Sequence, residues 1–187
     1  MALGKVTLAA RQRQMLEFMD NSKNYRFIGL GKRTPWPVEE EPPEPDETMT
    51  DLEEIIGLQR VDYYKYAKLI KNPTTLQKRT GVYYKGLYYS VTQDSEVAIN
   101  DGYTDVIIGI TFDRDTIAAI PIDVSFRQVG LFDTVNATSS EIQYGISADA
   151  WNNKSTADKG MLVAVENRAP VTRQDDQTEQ VIMLVSF

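Results

Sequence analysis

Leu8, Met15, Leu16 and Met19 fall at offsets 0, 7, 8 and 11 along the chain, which puts them on one face of a helix. The pattern predicts a helix over 8–20, with Thr7 as N-cap and Asn21-Ser22 as its stop. Arg11, Arg13 and Glu17 lie on its other face. The apolar stripe is narrow, so the helix should pack on a surface, either of the domain or of a partner. A short strand, Tyr25 to Ile28, should follow and end at Gly29. Between Gly31 and Asp46 lie Pro35, Pro37, Pro42, Pro43 and Pro45, five of the eight prolines. Proline removes backbone donors and favours extended geometry, so this stretch should be a stiff, exposed arm without regular structure. Thr50 and Glu53 have the spacing of a capping box, which predicts a short helix to about Ile56, stopping at Gly57.

Beyond this point the pattern turns to strands. A β-prone segment opens at Val61, Tyr63 and Tyr64 and continues to Ile70, before a turn at Asn72-Pro73. Gly81 to Val91 reads as two strands around Lys85-Gly86, and Asn100-Asp101-Gly102 as a turn. Strands are expected at 106–112 and 117–126 around a turn at Asp113-Arg114-Asp115, the second beginning irregularly or at an edge because of Pro121. Further strands are expected at 142–146, 161–165 and 181–187, separated by polar loops at 148–159 and 167–179. Short strands with polar turns predict a mainly β fold, an antiparallel β-sandwich. It should carry an N-terminal helix, the Pro-rich extended arm and one further short helix. The expected organisation is an N-terminal helix, strand and arm (1–58) packed on a β-sandwich domain (59–187). The final run, Val181 to Phe187, fits either a buried core strand or a strand donated to a neighbour.

Composition removes most chemistries. The 187 residues include no Cys and no His, which excludes disulfides, Cys or His zinc sites, thiol nucleophiles and imidazole bases. Gly29-Leu30-Gly31-Lys32 falls short of a phosphate loop, because Arg26 and Arg33 stand where Gly and Ser or Thr are required. Asp101-Gly102 and Asp113/Asp115 lack the run of ligands of a calcium loop. The carboxylates of the arm have no packed support to hold the fixed spacing that glycoside hydrolysis needs. No catalytic, cofactor-binding or metal-binding residue is therefore assigned, and no cofactor is expected. The apolar runs are too short to span a membrane.

Charge is arranged in blocks. Residues 1–33 carry seven basic and two acidic side chains, residues 34–64 one and ten, residues 65–85 six and none, and residues 86–187 six and fifteen. The whole sums to −7, which opposes general affinity for nucleic acid or anionic membrane. The blocks either neutralise one another within one fold or register neighbouring subunits. Seven of the ten tyrosines lie between 63 and 89. Adjacent pairs on a strand point to opposite faces. Rings such as Tyr84 and Tyr89 then either form cross-strand pairs or grip a partner.

Three strings carry a family resemblance. Tyr25 to Pro37 with its continuation to Pro45 (Phe27, Gly29, Pro35, Trp36, Pro42, Pro43, Pro45) is similar to a stretch near the N-terminus of a β-sandwich baseplate wedge subunit of T-even-like contractile phages. Phe126-Arg127-Gln128-Val129 is similar to a second stretch of it. Glu166-Asn167-Arg168-Ala169-Pro170, then Asp176-Gln177-Thr178-Glu179 and an apolar run ending at Phe187, resembles a third. The chain is shorter than that subunit. The resemblance implies a structural virion protein without catalysis, assembled in the host cytoplasm and located in the tail baseplate. It implies a homodimer or higher assembly among other baseplate or neck proteins, with no nucleic acid, membrane or small-molecule substrate as partner. A neck or connector protein, a glycan-binding tail module and a carboxylate-dependent cell-wall hydrolase are the rival readings. The subunit-interface candidates are Tyr25, Phe27, Gly29, Thr34, Pro35, Trp36, Pro42, Pro43, Tyr84 and Tyr89. Gly29 and Gly31 would permit a sharp exit from the strand, and Pro35 and Pro37 would hold Trp36 extended. That ring would then dock on a neighbour or fold back over its own sheet.

Overall fold

A computed structural model describes residues 5–20, 25–112, 119–121, 124–172 and 179–187. Helix α1 spans Leu8–Asp20. Thr7 caps it as expected, its Oγ1 accepting from Ala10 N at 3.3 Å and its carbonyl from Arg11 N. The strands are β1 (Phe27–Gly31), β2 (Gly57–Arg60), β3 (Tyr63–Ile70), β4 (Val82–Tyr84), β5 (Leu87–Thr92), β6 (Asp105–Phe112), β7 (Ser125–Asp133), β8 (Ile146–Ser147), β9 (Met161–Thr172) and β10 (Glu179–Ser186). They form two five-stranded sheets, ordered β8-β2-β1-β7-β9 and β10-β6-β3-β5-β4, and the registered pairings are antiparallel. The mainly β content, the two antiparallel sheets and the N-terminal helix agree with the expected β-sandwich class.

Several local expectations are corrected. Residues 50–56 form turns and irregular chain, not a helix, and Gly57 opens β2. Short helices stand elsewhere: α2 (Thr75–Thr80), α3 (Ser95–Asn100), α4 (Ser139–Tyr144) and α5 (Ala148–Asn152). Capping boxes at Thr74/Gln77 and Thr138/Glu141 start α2 and α4, so Ile142 sits on a helix where a strand was expected. Residues 119–121 are irregular and β7 begins only at Ser125. β9 runs on to Thr172, through the start of the predicted loop. The predicted stop at 21–22, the turn at 113–115 and the string 176–178 lie outside the described residues.

The chain gathers into two compact units, each built from separated segments. One comprises Met1–Ser22, Tyr63–Ile108 and Leu184–Phe187; the other comprises Lys23–Asp62 and Gly109–Met183. In the first, Met15, Tyr66, Ala67, Tyr89, Ala98, Tyr103 and Val106 are buried. Gln12 Nε2 ties α1 to the end of α3 by donating to Ile99 O at 2.8 Å. In the second, Phe27, Leu52, Ile55, Leu58, Phe132, Val135, Ile146 and Trp151 form one core cluster. Trp151 packs edge-on to Phe132 with ring centroids 4.8 Å apart. Its buried indole N–H donates to the Asp51 carboxylate at 3.1 Å, and that carboxylate also takes Lys159 Nζ at 2.9 Å.

Candidate functional site

The arm follows β1 and is fastened to the sheet of its own unit at several points. At Lys32 the backbone turns with φ 60°. Its N–H donates to Glu53 O, and its ammonium reaches both Glu53 Oε2 at 2.6 Å and the face of Trp36 at 5.2 Å. Glu54 accepts from the Arg33 and Thr34 N–H groups at 2.7 Å and from the Thr34 hydroxyl. The Thr34 side chain and backbone bonds hold the Glu54 carboxyl below its ordinary value.

Beyond Pro35 the chain is fixed by β7 and β9. Arg127 grips Glu39 through Nε (2.8 and 3.0 Å) and Nη2 (2.6 Å), while its Nη1 donates to Arg33 O at 2.6 Å. This fork matches carboxylate geometry with two parallel bonds. The Arg127 hydrogen bond lowers the Glu39 carboxyl and raises the guanidinium in turn. Trp36 folds back and is 7% exposed, its Nε1 donating to Arg168 O at 3.0 Å. Gln128, fully buried, accepts from Glu53 N and donates to Asn167 Oδ1, both at 2.9 Å, and Asn167 Nδ2 donates to Pro43 O at 2.9 Å. A buried amide with no water to replace its partners needs such bonds on both ends.

Three strings that lie far apart in the chain are thus one constellation. The first supplies Trp36, Glu39 and Pro43, the second Arg127 and Gln128, the third Asn167 and Arg168. Reading each string alone could not reveal this. The available signal was the presence of long polar side chains inside otherwise apolar strand sequence.

The interface candidates divide by position. Tyr25, Thr34, Pro35 and Pro43 are exposed, Pro42 and Tyr84 are half-buried, and Phe27, Gly29, Trp36 and Tyr89 are covered by their own chain. Gly29 and Gly31 lie within β1 and serve close packing, not a sharp exit. A Cβ on Gly29 would stand 2.9 Å from Phe132 Cε2, and one on Gly31 2.7 Å from Glu53 O. Tyr84 lies under the Lys85 ammonium at 5.9 Å. Tyr83 and Tyr88 face each other across β4 and β5 with centroids 4.9 Å apart, so the cross-strand reading holds for that pair.

The sheets, the clamped arm and the polar network that fastens backbone to backbone define a mainly β structural protein. The chain belongs to the family described as baseplate wedge 3 tail fiber network component, which it matches over residues 4–187. It is also similar to "Virion protein 3" of Enterococcus phage phiEF24C, with 28% identity over 170 residues that cover 90% of this chain and 85% of that protein. It is a phage baseplate protein, part of the virion tail.

Proposed function

We propose that the chain is a wedge component that binds neighbouring virion subunits, including the tail fibre network and a further copy of itself, and works without turnover. The observation that carries this reading is the arm. Its polar contacts fix a proline-rich segment in one extended path, while Val38, Glu40, Glu41 and Pro43 remain exposed along it. A segment held rigid in advance loses little entropy on docking, which suits a contact that must set neighbours at one angle. The long side chains of the network all end on backbone or on one another, an arrangement that stiffens a surface.

A phage with a nonsense codon in this gene tests the proposal. Grown without suppression, it should yield particles whose baseplates lack intact wedges, and supplying the protein in trans should restore them. Complete, infectious baseplates without the protein would refute the wedge role. Clearing of cell-wall glycan by the purified chain would refute the binding-only reading.

A further inference from the structure

Residues 63–93 contain no Asp or Glu. In the unit they help to build, α2 has no buried residue. Leu76 is 70% exposed and Tyr83 60%, and Tyr83 shares its side of the hairpin with Tyr88, over which Lys78 of α2 lies. Around them Lys71, Lys78, Arg79 and Lys85 are exposed. The β4–β5 hairpin turns through Lys85 (φ 46°) and Gly86 (φ 82°), both in the left-handed region that a tight two-residue turn requires. The result is a rigid basic face studded with apolar side chains. Exposed apolar residues rimmed by one sign of charge mark a docking surface.

The chain itself carries the complement. Glu40, Glu41, Glu44, Asp46 and Glu47 are exposed on the arm, beside Val38 at 51% exposure. Glu39 is engaged by Arg127 and Pro43 O by Asn167, so the arm's path is set before it meets anything. Five exposed carboxylates with an apolar companion thus stand against four exposed cations and two exposed apolar side chains. We propose that the acidic arm (38–47) of one copy docks on the basic α2–β4–β5 face of a second copy. The inference rests on the wedge reading and deepens it by naming the two surfaces through which copies meet. If each copy's arm engages the other's face, the pair closes as a two-fold dimer.

Sedimentation velocity of the full-length protein tests this. At about 0.05 M salt the chain should sediment as a dimer. At about 0.5 M it should shift toward monomer, because screening between exposed charges grows steeply over this range. K78E/R79E and E40K/E41K should each weaken association at least about tenfold, a change of about 1.4 kcal/mol. The four changes combined should restore it. Circular dichroism of each variant should match the parent, since the altered residues are on the surface. A monomer at low salt, association indifferent to either pair of changes, or failure of the combined variant to reassociate would each overturn the proposal. None of these outcomes would touch the wedge role, which the nonsense-codon phage tests separately.

Discussion

Trp36 and Glu39 show how single residues of the arm act. The ring is held by one bond from its indole N–H and the carboxylate by a guanidinium fork. Because the Arg127 bond places the Glu39 carboxyl below its ordinary 4.5 in the folded chain, the ionised form favours the clamped state. That contribution is complete above the unfolded value and is lost as pH falls through the depressed folded one. Acidification below about pH 4.5 should therefore loosen the arm. The Trp36 indole N–H, followed by NMR, should lose protection there relative to a free indole at the same pH, while Phe27 and Phe132 keep their native shifts. In Glu39→Gln the fork is weakened at neutral pH, and much of this pH dependence should vanish. A Trp36 signal indifferent to pH in the parent would show that the ion pair does not hold the arm.

At the scale of elements, a Thr followed three residues later by Glu or Gln appears three times with two outcomes. Thr74/Gln77 and Thr138/Glu141 form capping boxes and start helices, as the spacing dictates. Thr50/Glu53 has the same spacing and forms none. There Leu52 and Ile55 are drawn into the core, Glu53 is claimed by Lys32 and Gln128, and Glu54 adopts φ 46°. Tertiary contacts outweigh a local preference of about 1 kcal/mol. The same crowding makes β1 intolerant of side chains. Gly31→Ala would set its Cβ 2.7 Å from Glu53 O and 2.9 Å from Leu52 Cβ, and should cost about 1–3 kcal/mol in urea unfolding. Gly86→Ala meets nothing within 4 Å and bears only its left-handed φ of 82°, a cost nearer 1 kcal/mol. A Gly31→Ala protein as stable as the parent would show that residues 52–53 can yield there.

At the scale of the molecule, one compact unit is built from the start of the chain, its middle and its end. The Phe187 ring packs tilted against Phe18 with centroids 5.3 Å apart, and its N–H donates to Thr104 O at 3.1 Å. Phe187 thus anchors α1 within that unit. Phe187→Ala should lower the amide-exchange protection of 8–20 several-fold, since exchange there reports local opening. Unchanged protection would assign the anchoring to Met15 and Gln12 alone.

What the linear order determined is whatever depends on near neighbours. Periodicity placed α1, β3, β6 and the β4–β5 hairpin. Proline density made 32–46 an irregular arm, and the absence of Cys and His removed whole classes of chemistry. Whatever depends on long-range burial was decided by the tertiary structure. Trp36 folds inward because Arg168 O, 132 residues away, accepts its proton. Residues 52–55 forgo the helix that Thr50 and Glu53 favour because Leu52 and Ile55 are drawn into the core. Three separate strings became one clamp only when β1, β7 and β9 paired, because a buried polar side chain takes its partners from whatever backbone the fold brings within reach.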